Sequence, residues 1–83
     1  MNTATLNVLK AIVAVTLERF EVDLVAAYVE KINNAVDDDF SDIFDDFVGE
    51  VFEAIFSTHP DLDVAKYRFP LGVIAENILR DAI

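Results

Sequence analysis

The sequence predicts an all-α fold, a compact bundle of four to five short helices in a single domain covering residues 1–83. Three observations point there. Apolar residues recur every three or four positions through nearly the whole chain, the spacing that lines them up on one side of a helix. Only two glycines (Gly49, Gly72) and two prolines (Pro60, Pro70) punctuate it, and no linker, low-complexity tract or internal repeat divides it. From Phe40 to Phe56, nine apolar residues fall at i, i+3, i+4, i+7, i+8 and onward without a miss.

The first helix is expected over Thr3 to Arg19, with Leu6, Leu9, Val13, Leu17 and Phe20 along one stripe and Val8, Ile12 and Val15 along a second. Two apolar faces imply a central helix, or one that meets the core on one side and a twin subunit on the other. The β-branched residues Ile12, Val13 and Val15 keep a strand open as the alternative here. The next segment carries Val22, Val25, Ala26, Val29, Ile32 and Val36 at helical spacing, with Asp23 suited to the N-cap. With no Gly or Pro between them, these two segments form either one kinked helix or two. The third helix carries the densest charge and runs to about Ser57. Thr58-His59-Pro60-Asp61 then stops it and opens a short helix. Pro70 plays the same part for a last helix whose Leu71, Ile74, Ala75, Ile78, Leu79 and Ala82 face inward.

Composition narrows the function. An apolar share of 54% is high for so small a chain, so either its core is unusually complete or some apolar surface meets a twin in a homodimer. Cysteine is absent, which removes disulfides and thiolate metal sites and fits an intracellular setting. The first residues lack a basic signal region, Lys10 interrupts the first apolar stretch, and Ala11–Val15 is far shorter than a membrane span. A cytoplasmic location is therefore expected. The net charge of −10 argues against direct contact with nucleic acid or an anionic membrane.

That charge is concentrated. Asp37, Asp38, Asp39, Asp42, Asp45, Asp46, Glu50 and Glu53 contribute −8 with no basic residue among them, while residues 1–36 and 54–83 each carry −1. Evenly spread acidity would keep the chain as soluble with less self-repulsion, so the cluster points to a cationic partner. On a helix whose other face is the aromatic-rich stripe from Phe40 to Phe56, the acids occupy the outer arc, with Asp37–Asp39 at the positive end of the helix dipole. Asp37 to Glu53 spans roughly 24 Å, or about one carboxylate per 3 Å, close to the phosphate spacing of about 3.4 Å along one strand of B-DNA. Ordinary solvated faces mix signs to gain i,i+4 pairs. This one sets Asp38 against Asp42, Asp42 against Asp46 and Asp46 against Glu50, all mildly repulsive. Gly49 lies at the centre of the acidic arc, either to let a partner approach closely or incidentally.

Other chemistry is less well supported. An EF-hand loop begun at Asp37 would have Asp42 where its sixth residue should be Gly and Val48 where its twelfth should be Glu. His59 is the only histidine and has no Cys or second His with which to build a metal or catalytic set, so a capping or exposed role is expected. Tyr28 and Tyr67 are expected to pack with their hydroxyls at the surface. Carboxylates on an open helix face lack the burial that splits pKa values for acid–base work, so no enzyme activity, catalytic residue, metal or cofactor is expected. Arg19, Lys66, Arg68 and Arg80 are too scattered for a basic patch and are expected to pair with neighbouring acids or the twin subunit.

From Val8 to Phe44 the chain resembles, without gaps, the Ocr anti-restriction proteins of T7-like phages, which are acidic helical DNA mimics. The likeness rests on Leu9-Lys10, Arg19, Asp23-Leu24, Ala27, Asn34-Ala35-Val36 and Asp42-Ile43-Phe44, with Phe40 where the family has another aromatic. The resemblance implies a homodimer that occupies the DNA-binding groove of type I restriction enzymes and related defence complexes. Because Ala11–Val15 is apolar where that family is acidic, a shorter mimic or a different host target is expected. The chain is also similar in outline to acyl carrier proteins, but Ser41 lies between Phe40 and Asp42, not in the Asp-Ser-apolar attachment motif.

The expectation is a non-enzymatic, phage- or mobile-element-encoded inhibitor that blocks a basic nucleic-acid-binding site on a host protein, a restriction or other defence complex. The alternative is a homodimeric helical interaction or regulatory module without mimicry.

Overall fold

The computed structural model describes residues 2–35 and 40–83, and it contains four helices: α1 (Thr3–Glu18), α2 (Leu24–Asn33), α3 (Phe40–Thr58) and α4 (Val64–Ala82). No strand occurs among the described residues. Three of the helices begin the same way. Asn2, Asp23 and Asp63 each accept a hydrogen bond at the side chain from the backbone N–H three residues on, at 2.8, 3.0 and 3.1 Å. Each thereby satisfies a donor that the first helical turn leaves unpaired.

Residues 3–35 are two helices, not one bent one. Arg19 and Phe20 donate their N–H groups to Thr16 and Leu17, tightening the end of α1 into a 3₁₀-type turn. Asp23 is then extended and caps α2. The β-branched run in α1 does not divert it to strand, because Val13 is fully buried in the core and Thr16 returns its hydroxyl to the Ile12 carbonyl at 2.7 Å.

The antiparallel pair α3 and α4 forms the centre, each touching the other three helices, with α1 and α2 packed across them. The core is Leu9 and Val13 of α1; Leu24, Tyr28 and Ile32 of α2; Phe47, Val51 and Ile55 of α3; and Leu71, Ile74, Ala75 and Leu79 of α4. α1 is therefore not central: Leu6, Leu9, Val13 and Leu17 face inward, while Val8 and Val15 of the second stripe lie exposed on the outside.

Three sequence expectations change. In α2 the buried stripe is Leu24, Tyr28 and Ile32; Val25 and Val29 are half-buried, and Val22 and Ala26 are exposed. Val36 lies outside the described residues. Pro70 does not open a helix. It stands seventh in α4, which Asp63 has already capped, so there is no separate short helix after Pro60. The inward set of the last helix otherwise holds, except that Ile78 is half-buried and Ala82 exposed. Third, the Tyr28 hydroxyl is not at the surface but turned against α3, as described below.

Candidate functional site

The site is the outer face of α3, positioned by its opposite face. Phe47, Val51 and Ile55 have no exposed surface. Ile43, Phe44, Val48, Phe52 and Phe56 flank them half-buried. Phe47 meets the Tyr28 ring edge to face, with centroids 5.3 Å apart. This anchoring fixes the rotation of α3, so Asp42, Asp45, Asp46, Glu50 and Glu53 are all held at the surface. Asp37, Asp38 and Asp39 lie outside the described residues. Asp42 to Glu53 alone spans about 17 Å along the axis, and its five carboxylates recur about every 4 Å.

The five are not equivalent. Asp42, Asp46 and Glu53 occupy the middle of the arc. Asp45 stands at the flank toward α4, where it lines a groove between the two helices. Glu50 stands at the flank toward α2 and accepts a hydrogen bond from the Tyr28 hydroxyl. Burial, reinforced by the Glu50 carboxylate and the nearby Asp46, pushes the Tyr28 phenol well above the ordinary tyrosine range. The phenol therefore stays a neutral donor throughout the physiological range and ties this acid to the bundle.

None of the α3 acids has a basic partner. Among the described residues the one ion pair is Glu76 with Arg80, at 2.5 Å within α4. Four of the six basic residues lie over aromatic rings. Lys31 lies 4.4 Å from the Tyr28 centroid, Lys66 5.3 Å from Tyr67, Arg68 5.6 Å from Phe52 and Arg80 5.6 Å from Phe44. These contacts hold the positive charges without neutralising the acidic face. Of the pairings expected for the basic residues, Arg80 makes one. Lys66 and Arg68 stack instead, and Arg19 makes no ion pair among the described residues.

His59 follows the end of α3, where its N–H donates to the Ile55 carbonyl at 2.8 Å and its ring lies 2.9 Å from the Thr58 hydroxyl. It closes the helix, the capping role its position suggested. Among the described residues no three His, Cys, Asp or Glu side chains converge as a metal site requires.

Gly49 sits among the acids on the exposed face, and the fold does not require it. No glycine has a positive φ, and a Cβ built on Gly49 meets nothing within 4 Å. Gly49→Ala should therefore stabilise the monomer by about 0.5–1 kcal/mol, the usual helix-interior difference, read as a higher thermal midpoint. Gly72 differs, since a Cβ there would come within 3.2 Å of the Phe52 ring, and glycine lets α3 and α4 approach.

Compared with protein-family models, curated proteins and solved structures, the chain finds no match. No helix among the described residues is long and apolar enough to cross a membrane. Fold and site together define a small all-α bundle with one uncompensated anionic face.

Proposed function

We propose that this chain is a non-enzymatic acidic inhibitor that acts as a homodimer and imitates nucleic-acid charge. It uses the α3 face to block a basic nucleic-acid-binding cleft on a host protein, a restriction or other defence complex in the bacterial cytoplasm. The observation that carries the reading is the separation of charge. Five carboxylates share a rigid face with no basic neighbour in ion-pair distance, and four of the six basic residues are laid on rings. A face kept only for solubility would gain from mixed signs, whereas this one includes the repulsive i,i+4 pairs Asp42/Asp46 and Asp46/Glu50. A row of fixed negative charge suits a cleft built to hold phosphates, where electrostatics dominates binding. The glycine in the middle of the row, unused by the fold, supports close approach of that partner. The resemblance to Ocr proteins points the same way.

The experiment compares wild type with the triple variant Asp42→Lys, Asp46→Lys and Glu53→Lys as bait in a bacterial lysate. Wild type should retain a basic nucleic-acid-binding protein at low salt and release it in about 0.5 M NaCl or on addition of duplex DNA. The variant should retain at least tenfold less of it while keeping its helical circular dichroism, since all three positions are exposed. Capture that survives reversal, salt and DNA competition would falsify the mimic.

The second reading, an interaction module that works through apolar surface, is favoured by Phe69, 81% exposed, and by the outer Val8 and Val15 of α1. Under it, partner binding survives charge reversal and salt, and is lost on changing those apolar residues.

A further inference from the structure

We propose that the groove between α3 and α4 is the surface through which two copies of this chain pair, the Phe69 ring of each entering the groove of the other. The assignment rests on the homodimer of the reading above, and not on what the acidic face binds. The groove has a volume of about 450 Å³ and an apolar floor and walls formed by Val48, Phe52, Gly72 and Val73. Phe69 stands on its rim, 81% exposed, the most exposed of the large apolar residues. A large aromatic left in water beside an empty apolar groove is both halves of a contact, a knob and the hole to receive it.

Charge selects a second copy as the occupant. Because α3 and α4 run antiparallel, Phe52 lies beside Arg68 at one end of the groove, and Phe44 beside Arg80 marks the direction of the other. Asp45 lines the groove seven residues before Phe52, about 10 Å along the axis. The two ends therefore carry opposite charges. Glu76 is already held by Arg80, which leaves Asp45 the free acid, and Arg68 makes no ion pair among the described residues.

A two-fold axis across the groove places Arg68 of each copy over Asp45 of the other while the two Phe69 rings exchange. This is the self-complementary pattern that a closed dimer requires. Elsewhere a chain of net charge −10 repels its twin, and here it attracts. Gly72 keeps the floor low enough for a ring, because α4 approaches α3 there without a Cβ between them. The exposed stripe of α1 offers only Val8, Val15 and alanines, with no protruding side chain for a twin to receive.

The test is the molar mass of the full chain by light scattering and sedimentation, with circular dichroism to check the fold. Wild type should be a dimer. Phe69→Lys should be a folded monomer, the side chain being too exposed to matter to the bundle. Asp45→Arg and Arg68→Asp should each weaken dimerisation about tenfold or more, and the double variant Asp45→Arg/Arg68→Asp should restore it, since the charges are merely exchanged across the interface. A monomeric wild type overturns the pairing itself. A dimer that persists in Phe69→Lys, or a double variant no tighter than either single one, overturns this surface while leaving the pairing intact. So does a dimer lost only on Val8→Lys/Val15→Lys, which would move the contact to α1.

Discussion

Phe47→Ala should lower stability by about 3–5 kcal/mol, the largest loss expected from truncating any one side chain of this protein. Phe47 is the largest of the fully buried residues and lies in the middle of α3, one of the two helices that touch all the others. Its removal takes away the apolar burial, opens a void between α3 and α2, and leaves the Tyr28 ring without its edge-to-face neighbour. A chain of this length has about 4–12 kcal/mol of stability in total, and each kcal/mol is worth about 4–8 °C in the midpoint. The variant should therefore melt at least about 12 °C lower, and urea titration followed by circular dichroism would measure the loss. A drop of under 1 kcal/mol would mean that α3 is not anchored by this face, and the fixed orientation of the acids would go with it.

Pro70→Ala should act in the opposite direction, raising stability by about 2 kcal/mol. A proline within a helix loses the hydrogen bond to the carbonyl four residues back, here Lys66, and its ring crowds that carbonyl, for about 3 kcal/mol. Proline also restricts the unfolded chain, which returns about 0.4–1 kcal/mol. The remainder is the expected gain, about 8–16 °C in the thermal midpoint. The helix tolerates Pro70 because Leu71, Ile74, Ala75 and Leu79 are buried on the far side of it, and their packing outweighs one missing bond. A lower midpoint would show that the half-buried Pro70 ring contributes more by packing than it removes from the backbone.

The residues that fix α3 are local, and its faces were readable for that reason. Nine apolar positions at strict helical spacing leave only one way to orient the helix, and the five described acids necessarily fall outside it. The same test fails for α2. Nearly every residue from Val22 to Val29 is apolar, so periodicity cannot choose between a stripe through Val25 and Val29 and the one through Leu24 and Tyr28 that the core takes. Tertiary packing decides. Pro70 was misleading because proline suits a helix start so well that its tolerance deeper in a well-packed helix leaves no local trace. The features that distinguish the acids from one another were out of reach altogether. Tyr28 and Glu50 are 22 residues apart, and Arg68 meets Phe52 across two helices. No spacing rule reports such contacts.

The placement of the cations has one more consequence, which concerns motion before contact. Helices α1 and α2 are electrically neutral, α3 carries −5 and α4 carries +1. Among the helices the negative charge is thus concentrated on α3, and four of the six basic residues lie over rings rather than paired with its acids. In the field of a cationic cleft such a body experiences a torque as well as a pull, and it turns while it diffuses. Collisions would then arrive α3 first, a larger share of them productive than random tumbling allows, and that advantage would fade as salt shortens the range of the field.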